Sequence, residues 1–168
     1  MFRTPTRIEW EWAGIFFLLT LAWMSLEKSL GWHDVHIAAH ALYTNIYDLL
    51  FIILMALAIR SVKLKRYHGI MSWKQGIESG MWITLILAAI SPLTQWITHR
   101  LISPSFFPNI IQFATDNHLM TPEAAAAQFN LPNYIWQNVV GTLILGTAAT
   151  VVLAHLFRTK ERDKTTST

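Results

Sequence analysis

The sequence predicts an all-α integral membrane protein with four transmembrane helices and a helical external loop between spans three and four. Of its 168 residues, 53% are hydrophobic and 14% are charged, whereas about 25% of the residues in a soluble domain are charged. The apolar residues gather in four stretches that approach the roughly 20 residues needed to cross a bilayer. The composition therefore argues against a soluble enzyme, and we treat residues 1–168 as a single membrane domain.

The four predicted spans cover about residues 9–27, 37–59, 77–97 and 134–157. The second contains the uncharged run LLFIILMALAI, and the fourth contains VVGTLILGTAATVVLAHLF. The first is the shortest, and a cleaved signal peptide is its alternative interpretation. Acidic residues stand where a signal peptide has a basic start, and no A-x-A site follows, so we interpret it as a span. Each run is apolar around its whole circumference, which disfavours helices buried in a soluble protein.

The basic residues predict the orientation of these spans, because cytoplasmic loops carry an excess of lysine and arginine. Of the thirteen basic residues, only Lys28 and Arg100 fall in the first and third loops. The other eleven are Arg3, Arg7, Arg60, Lys63, Lys65, Arg66, Lys74, Arg158, Lys160, Arg162 and Lys164. With four spans, this distribution predicts a multi-pass membrane protein whose basic segments all lie on the cytoplasmic side. Both termini, including the basic tail 158–168, are then cytoplasmic.

The external loop, residues 98–133, is too long to be expected without internal structure. Thr121, Pro122 and Glu123 form a good helix start: an N-cap, a proline in the first turn and an acid near the positive end of the helix dipole. An apolar segment, residues 106–114, precedes them. We therefore expect two short helices, lying on the outer membrane surface or capping the bundle.

Polar residues in the second span form the main candidate site. Four of them recur at steps of four residues and share one helical face, with a fifth beside them. The five are His36, His40, Thr44, Asn45 and Asp48. Ionisable groups inside a bilayer are costly and therefore suggest a function. Three interpretations stay open: hydrogen bonds to neighbouring helices, a proton or cation path through Asp48, and a metal ion on His36 and His40.

Small residues predict where helices pack closely. Gly76 and Gly80 form a small-xxx-small pair on span three, and Gly141 and Gly146 play a similar part on span four. Such residues let helix backbones approach within a bilayer. Packing within one chain and packing in a homodimer both satisfy the pattern.

The basic loop between spans two and three suggests a partner, and the lack of catalytic motifs limits the expected chemistry. Lys63, Lys65 and Arg66 could attract anionic lipid headgroups at about 1 kcal/mol per basic residue, and we expect no nucleic-acid partner. No catalytic motif is visible, so we expect neither an enzyme nor a cofactor. The chain has no cysteine, which excludes disulfides and cysteine-ligated metals.

One long segment resembles a known family. It reads IYDLLFIILMALAIRSVKLKRYHGIMSWKQGIESGMWITLILAAI: an apolar helix, a basic turn, and a Lys-x-Gly-Ile start to the next helix. Together with the TPEAAAAQF helix start, it resembles the four-span bacterial membrane family of domain of unknown function 4199, found mainly in Bacteroidota. The resemblance covers roughly residues 45–158 and implies a fold and an inner-membrane location. It implies no activity and no site residues.

The function expected from the sequence is therefore a structural or interaction role in the cell envelope, with a homodimer or another envelope protein as partner. The alternative is a small proton- or cation-coupled transporter or channel subunit that uses Asp48.

Overall fold

The computed structural model describes residues 3–159, and within them the chain is helical and contains no strand. The predicted all-α class is confirmed. Six α-helices follow one another: α1 Arg7–Ser29, α2 His40–Lys65, α3 Trp73–Ile97, α4 Phe106–Asp116, α5 Pro122–Gln128 and α6 Leu131–Phe157. A 3₁₀ turn, Ile37–Ala39, precedes α2, and a π-helical turn, Thr98–Ile102, follows α3. Residues 160–168 of the predicted basic tail lie outside the described residues.

Three helical segments within residues 3–159 are long and apolar enough to cross a membrane. They are Asn45–Lys65, Trp73–Ile102 and Leu131–Phe157, and they indicate a membrane protein. The sequence predicts four such segments. α1 has 23 residues but is not among the three, because acidic residues near both of its ends shorten its apolar run.

Local sequence explains where several helices begin and end. α2 is followed by His68 at φ 48° and Gly69 at φ 87°, and these left-handed residues turn the chain towards α3. α3 runs through Pro92 before it passes into the π-helical turn. At the start of α5, the Thr121 hydroxyl accepts a hydrogen bond from the Ala124 N–H at 3.3 Å. The helix start predicted there is confirmed, as are the two helices of the long loop.

The described chain divides into two compact units. The first comprises residues 3–16, 50–88 and 141–159. Its core includes Met55, Ile59 and Val62 of α2, all fully buried. In this unit α3 and α6 run antiparallel and touch through small residues. The facing pairs are Gly76 with Ala154, Gly80 with Thr150, and Thr84 with Gly146.

The second unit comprises residues 17–49 and 89–140. Here α4 packs against α5 and against the 3₁₀ turn before α2. Phe106 is fully buried, and its ring contacts those of His99, Phe107 and Tyr134. The core of this unit is therefore aromatic and partly polar.

Candidate functional site

A buried carboxylate and two histidines meet in the second unit. Glu27 lies in the last turn of α1, His33 lies in the connection to α2, and His40 is the first residue of α2. The connection folds back on itself at Gly31, which adopts φ 78°. The N–H of His36 donates to the Gly31 carbonyl at 2.8 Å. This turn brings three side chains, spaced six and seven residues apart in sequence, to one point.

The three side chains meet through one carboxylate oxygen. Glu27 Oε2 lies 3.0 Å from His33 Nε2 and 3.6 Å from His40 Nδ1. One ligand atom from each of the three residues lies within 4.8 Å of the other two. The side chains of Glu27 and His33 are 0% and 1% exposed, and that of His40 is 19% exposed. We call Glu27, His33 and His40 the Glu–His–His cluster.

Neighbouring groups fix the orientation of the cluster. The indole N–H of Trp23, one turn earlier on α1, donates to Glu27 Oε1 at 2.6 Å. The Asn109 side-chain amide of α4 donates to the backbone carbonyl of His33 at 2.9 Å. The first contact occupies one carboxylate oxygen and leaves the other to the histidines. The second ties the connection to α4.

Aromatic rings cover the cluster. The ring of Phe106 lies 5.1 Å from that of His33 and 4.9 Å from that of His40, measured between centroids. A third histidine, His99, lies 5.0 Å from the same phenyl ring. Its Nε2 is 3.1 Å from Gln95 Oε1. Aromatic rings therefore form much of the surroundings of the cluster.

An ion pair closes the same connection at the surface. Lys28 Nζ lies 2.6 Å from Asp34 Oδ2, and both side chains are partly exposed. The hydrogen bond from Lys28 lowers the pKa of the Asp34 carboxyl, and the Val35 N–H adds to the effect. This pair lies beside Glu27 and His33 in sequence and helps to fix the turn that carries His33.

The donor atoms of the cluster allow two kinds of chemistry. A carboxylate and an imidazole can share a proton across a hydrogen bond, and Glu27 Oε2 lies 3.0 Å from His33 Nε2. A carboxylate and two imidazoles are also a usual ligand set for a divalent transition metal. Both need the close approach that these three residues show.

A family model described as Protein of unknown function (DUF4199) matches residues 11–159. The chain belongs to this family. The resemblance expected over residues 45–158 is thus confirmed, and the match also includes most of α1. No curated protein and no solved structure matches the chain. Because the DUF4199 description names no activity, any function of this family member has to be argued from its own residues.

The polar stripe predicted on the second span is only partly helical. His36 precedes both the 3₁₀ turn and α2, and its side chain is exposed. It does not belong to the Glu–His–His cluster, and the metal pair of His36 with His40 stays a prediction. The predicted stripe requires a helix that includes residue 36, whereas after the turn at Gly31 the α-helix begins only at His40. His40 instead faces Glu27 and His33.

The other members of the stripe lie on α2. Asn45 and Asp48 are exposed, and Asp48 lies close to the start of the membrane-capable segment Asn45–Lys65. The carboxylate of Asp48 has no hydrogen bond or ion pair within residues 3–159. The side chain of Thr44 lies outside what the structure describes. Neither Asn45 nor Asp48 is part of the Glu–His–His cluster.

The four glycines singled out for packing differ in their surroundings. A Cβ added at Gly76, Gly80 or Gly146 would lie within 2.8 Å of a side chain on the facing helix. A Cβ added at Gly141 would meet nothing within 4 Å. Three of the four therefore lie where α3 and α6 touch.

Sequence reasoning missed Glu27 and His33 as site residues of this DUF4199 protein. Glu27 stands at the end of a predicted span, where an acid is ordinary, and His33 stands in a short connection. The sequence does contain a signal: Glu27 precedes Gly31, and His33 and His40 follow it. Only the turn at that glycine converts this spacing into proximity.

Proposed function

We propose that the protein is a four-span bacterial inner-membrane protein with both termini in the cytoplasm and a structural or interaction role in the cell envelope. The proposal takes α1 as the fourth span. At 1.5 Å per residue, the 23 residues of α1 extend about 35 Å, and the hydrocarbon core is about 30 Å thick.

The carboxylates that lower the apolar character of α1 support this assignment. Glu9 is fully buried and pairs with Arg3 and Thr6. Glu27 is fully buried and pairs with Trp23 and His33. A carboxylate held by partners inside the protein is not presented to lipid. Its cost to membrane insertion is therefore smaller than its hydropathy value implies.

One observation carries the proposal: in the first unit, one end of the described chain contacts α3 near its start, and the other end contacts the loop that precedes α3. The Arg3 N–H donates to Glu78 Oε1 at 2.6 Å, near the start of α3. At the other end, the Thr159 N–H donates to the Met71 carbonyl at 2.8 Å. These contacts support an even number of spans. They agree with the eleven basic residues that the sequence assigns to one side.

Single cysteines test this topology, and the chain has no native cysteine to remove. Thr4, Val35, Ser72 and Ala126 are all exposed and stand before α1, after α1, before α3 and in α5. In whole cells, a membrane-impermeant maleimide should label Val35→Cys and Ala126→Cys. Thr4→Cys and Ser72→Cys should be labelled only after lysis.

The comparison of labelling at Thr4→Cys and Val35→Cys decides whether α1 crosses the membrane as the fourth span. If both cysteines react from the same side, α1 does not cross the membrane. If Ser72→Cys and Ala126→Cys react from the same side, the proposed topology fails for α3 as well. Equal labelling of all four sites after lysis is the control that each thiol can react.

The exposed side of α2 supports the interaction role. Asn45 and Asp48 lie on this side with Leu49, which is 59% exposed. An ionised side chain in contact with lipid costs up to about 3 kcal/mol on insertion scales. Cover by a second chain, either another copy or a different envelope protein, would remove that cost.

A photo-crosslinking amino acid at Leu49 tests whether a protein covers this side. We expect a protein adduct at Leu49 that decreases in the Asp48→Ala background, and an adduct of twice the monomer mass would identify a homodimer. Leu18 of α1, 65% exposed, is the matched control position. Adducts that are absent at both positions, or equal at both, would contradict the proposed interface.

A proton- or cation-coupled transporter or channel subunit is the second candidate, supported by the exposed Asp48 carboxylate without an ion pair. Purified protein in liposomes would then show a flux that Asp48→Asn abolishes while the protein still folds and assembles. If the flux is absent, or Asp48→Asn leaves it unchanged, this candidate is rejected.

Anionic lipids are the proposed partners of the basic end of α2. Lys63 and Lys65 lie in its last turn, and the Arg66 guanidinium lies 5.4 Å from the ring centroid of Tyr67. Lysine or arginine near a membrane surface adds about 1 kcal/mol of attraction to anionic headgroups. Retention of anionic lipid through purification should therefore decrease when Lys63 and Lys65 are replaced by glutamine.

A further inference from the structure

We propose that Glu27, His33 and His40 bind a zinc ion, or a first-row divalent ion of similar chemistry, that joins the end of α1 to the start of α2. The ligand atoms are Glu27 Oε2, His33 Nε2 and His40 Nδ1. Nothing in the family assignment provides such a site, and the proposal does not depend on the number of membrane spans.

The distances fit three ligands on one ion. Zinc binds imidazole nitrogen and carboxylate oxygen at about 2.0–2.2 Å, so two ligands at tetrahedral corners lie about 3.3 Å apart. Glu27 Oε2 is 3.0 Å from one imidazole nitrogen and 3.6 Å from the other. These separations bracket the expected value. All three ligand atoms lie within 4.8 Å of one another, so small side-chain movements would let them bind one ion.

The ligand set is also a common one. Two histidines and one glutamate are the protein ligands of several zinc enzymes, where the fourth position holds water. Imidazole and carboxylate suit zinc and neighbouring divalent metals better than calcium or magnesium, which prefer oxygen alone. Burial strengthens the case, because a fully buried carboxylate needs a compensating positive charge.

Two hydrogen bonds hold the proposed ligands in place. The Trp23 N–H donates to Glu27 Oε1 at 2.6 Å, so the other carboxylate oxygen is directed to the ion. Asn109 holds the backbone of His33 at 2.9 Å. Such contacts around a metal orient its ligands, and their removal typically costs 10- to 100-fold in affinity. The Phe106 ring, fully buried beside both histidines, limits access of water.

The experiment uses the full chain in detergent, freed of metal with a chelator and then titrated with Zn²⁺ by calorimetry. We expect one equivalent to bind. His40→Gln should weaken binding by more than about 100-fold, since changes to surrounding residues alone cost 10- to 100-fold. Trp23→Phe should weaken it by about 10- to 100-fold. His36→Gln, a nearby exposed histidine outside the cluster, should leave binding unchanged.

A second measurement keeps the test decisive if a variant folds poorly. Co²⁺ bound to the wild-type chain should give the intense visible absorption of a tetrahedral site, and one equivalent of Zn²⁺ should displace it. Zn²⁺ should also raise the melting temperature of the wild-type chain, because an ion that binds only the folded state stabilises it. In His40→Gln, partly exposed and hence the mildest of the three changes, that rise should be lost.

Three results would overturn the proposal. The first is wild-type protein that binds no stoichiometric Zn²⁺ and gives no tetrahedral Co²⁺ spectrum. The second is His40→Gln protein that binds as tightly as wild type. The third is an equal loss in His36→Gln, which would indicate adventitious binding to surface histidines. In the first case, the three residues form a proton-sharing ion pair and no metal site.

Discussion

At Gly146 the approach of two helices depends on the absence of a single carbon atom. A Cβ there would lie 2.6 Å from Thr84 Oγ1 and 3.1 Å from Thr84 Cβ. Thr84 is fully buried, and its branched side chain cannot remove both contacts by rotating. The spacing of α3 and α6 is therefore fixed by small residues, as expected where lipid offers no hydrophobic drive for packing.

Replacing Gly146 by alanine should destabilise the protein by about 1–3 kcal/mol, the usual cost of overpacking. Gly141→Ala, on the same helix with nothing within 4 Å of the added carbon, should instead stabilise by about 0.4–1 kcal/mol through helix propensity. Thermal unfolding in one detergent measures both. Adding Thr84→Ala should partly restore the stability that Gly146→Ala loses. If the stability changes of the two substitutions simply add, the two residues are not in direct contact.

The sequence identified small residues at the right spacing but could not rank them. Gly141 and Gly146 look alike in sequence, and only the facing residue distinguishes them. The same limit applies to the cluster. His40 was expected to be polar and functional, but its real neighbours come from α1 and from the connection. The three side chains meet only because Gly31 adopts a positive φ. A glycine allows that conformation, but its presence in the sequence does not show that the chain adopts it.

Among the elements, the segment before α1 is held through one residue, Arg3. Arg3 bonds to Glu9 on α1 and to Ser79 on α3, at 2.6 Å for the hydroxyl. The Trp82 indole N–H donates to the Arg3 carbonyl at 2.6 Å. Hydrogen bonds and charge together raise the pKa of the Arg3 guanidinium, against a burial effect that lowers it. The guanidinium therefore stays charged and joins the start of α1 to the start of α3.

Arg3→Met should cost about 1–3 kcal/mol, because it leaves the fully buried Glu9 carboxylate without its charged partner. Arg7→Met is the matched control, since the Arg7–Glu11 pair is exposed and pairs of that kind contribute about 0–1 kcal/mol. Chemical denaturation of both variants gives the comparison. Equal losses would mean that Glu9 is satisfied without Arg3.

Helix existence was easier to predict than helix boundaries. The start of α5 followed from Thr121, Pro122 and Glu123, because cap, proline and charge act locally. α2 was expected from residue 37 but begins at His40 and continues to Lys65. Hydrophobic periodicity does not predict these boundaries. The start of α2 depends on the preceding turn, and its end depends on the basic loop that follows.

For the molecule as a whole, composition predicted the class and charge position predicted the orientation. The acids of α1 reduce its hydropathy, although two of them, Glu9 and Glu27, are buried and paired. Hydropathy counts residues one at a time and cannot register that Glu9 is held by Arg3, or Glu27 by Trp23. The number of membrane spans therefore cannot be counted from hydropathy alone, because the partners of these carboxylates are known only from the folded chain.

Ile144, in the middle of α6, distinguishes a membrane-embedded molecule from one that is merely apolar. Its side chain is 66% exposed within the folded chain, so in water Ile144→Lys would change stability by no more than about 0.5 kcal/mol. In a bilayer the same change should cost about 2.5–3.5 kcal/mol, because lysine at the centre of a span contacts hydrocarbon. We therefore expect a strong loss of Ile144→Lys protein from the membrane fraction. Gln128→Lys on the exposed surface of α5 should accumulate normally. Normal accumulation of both variants, with release of the protein by alkaline carbonate, would mean that α6 does not face lipid.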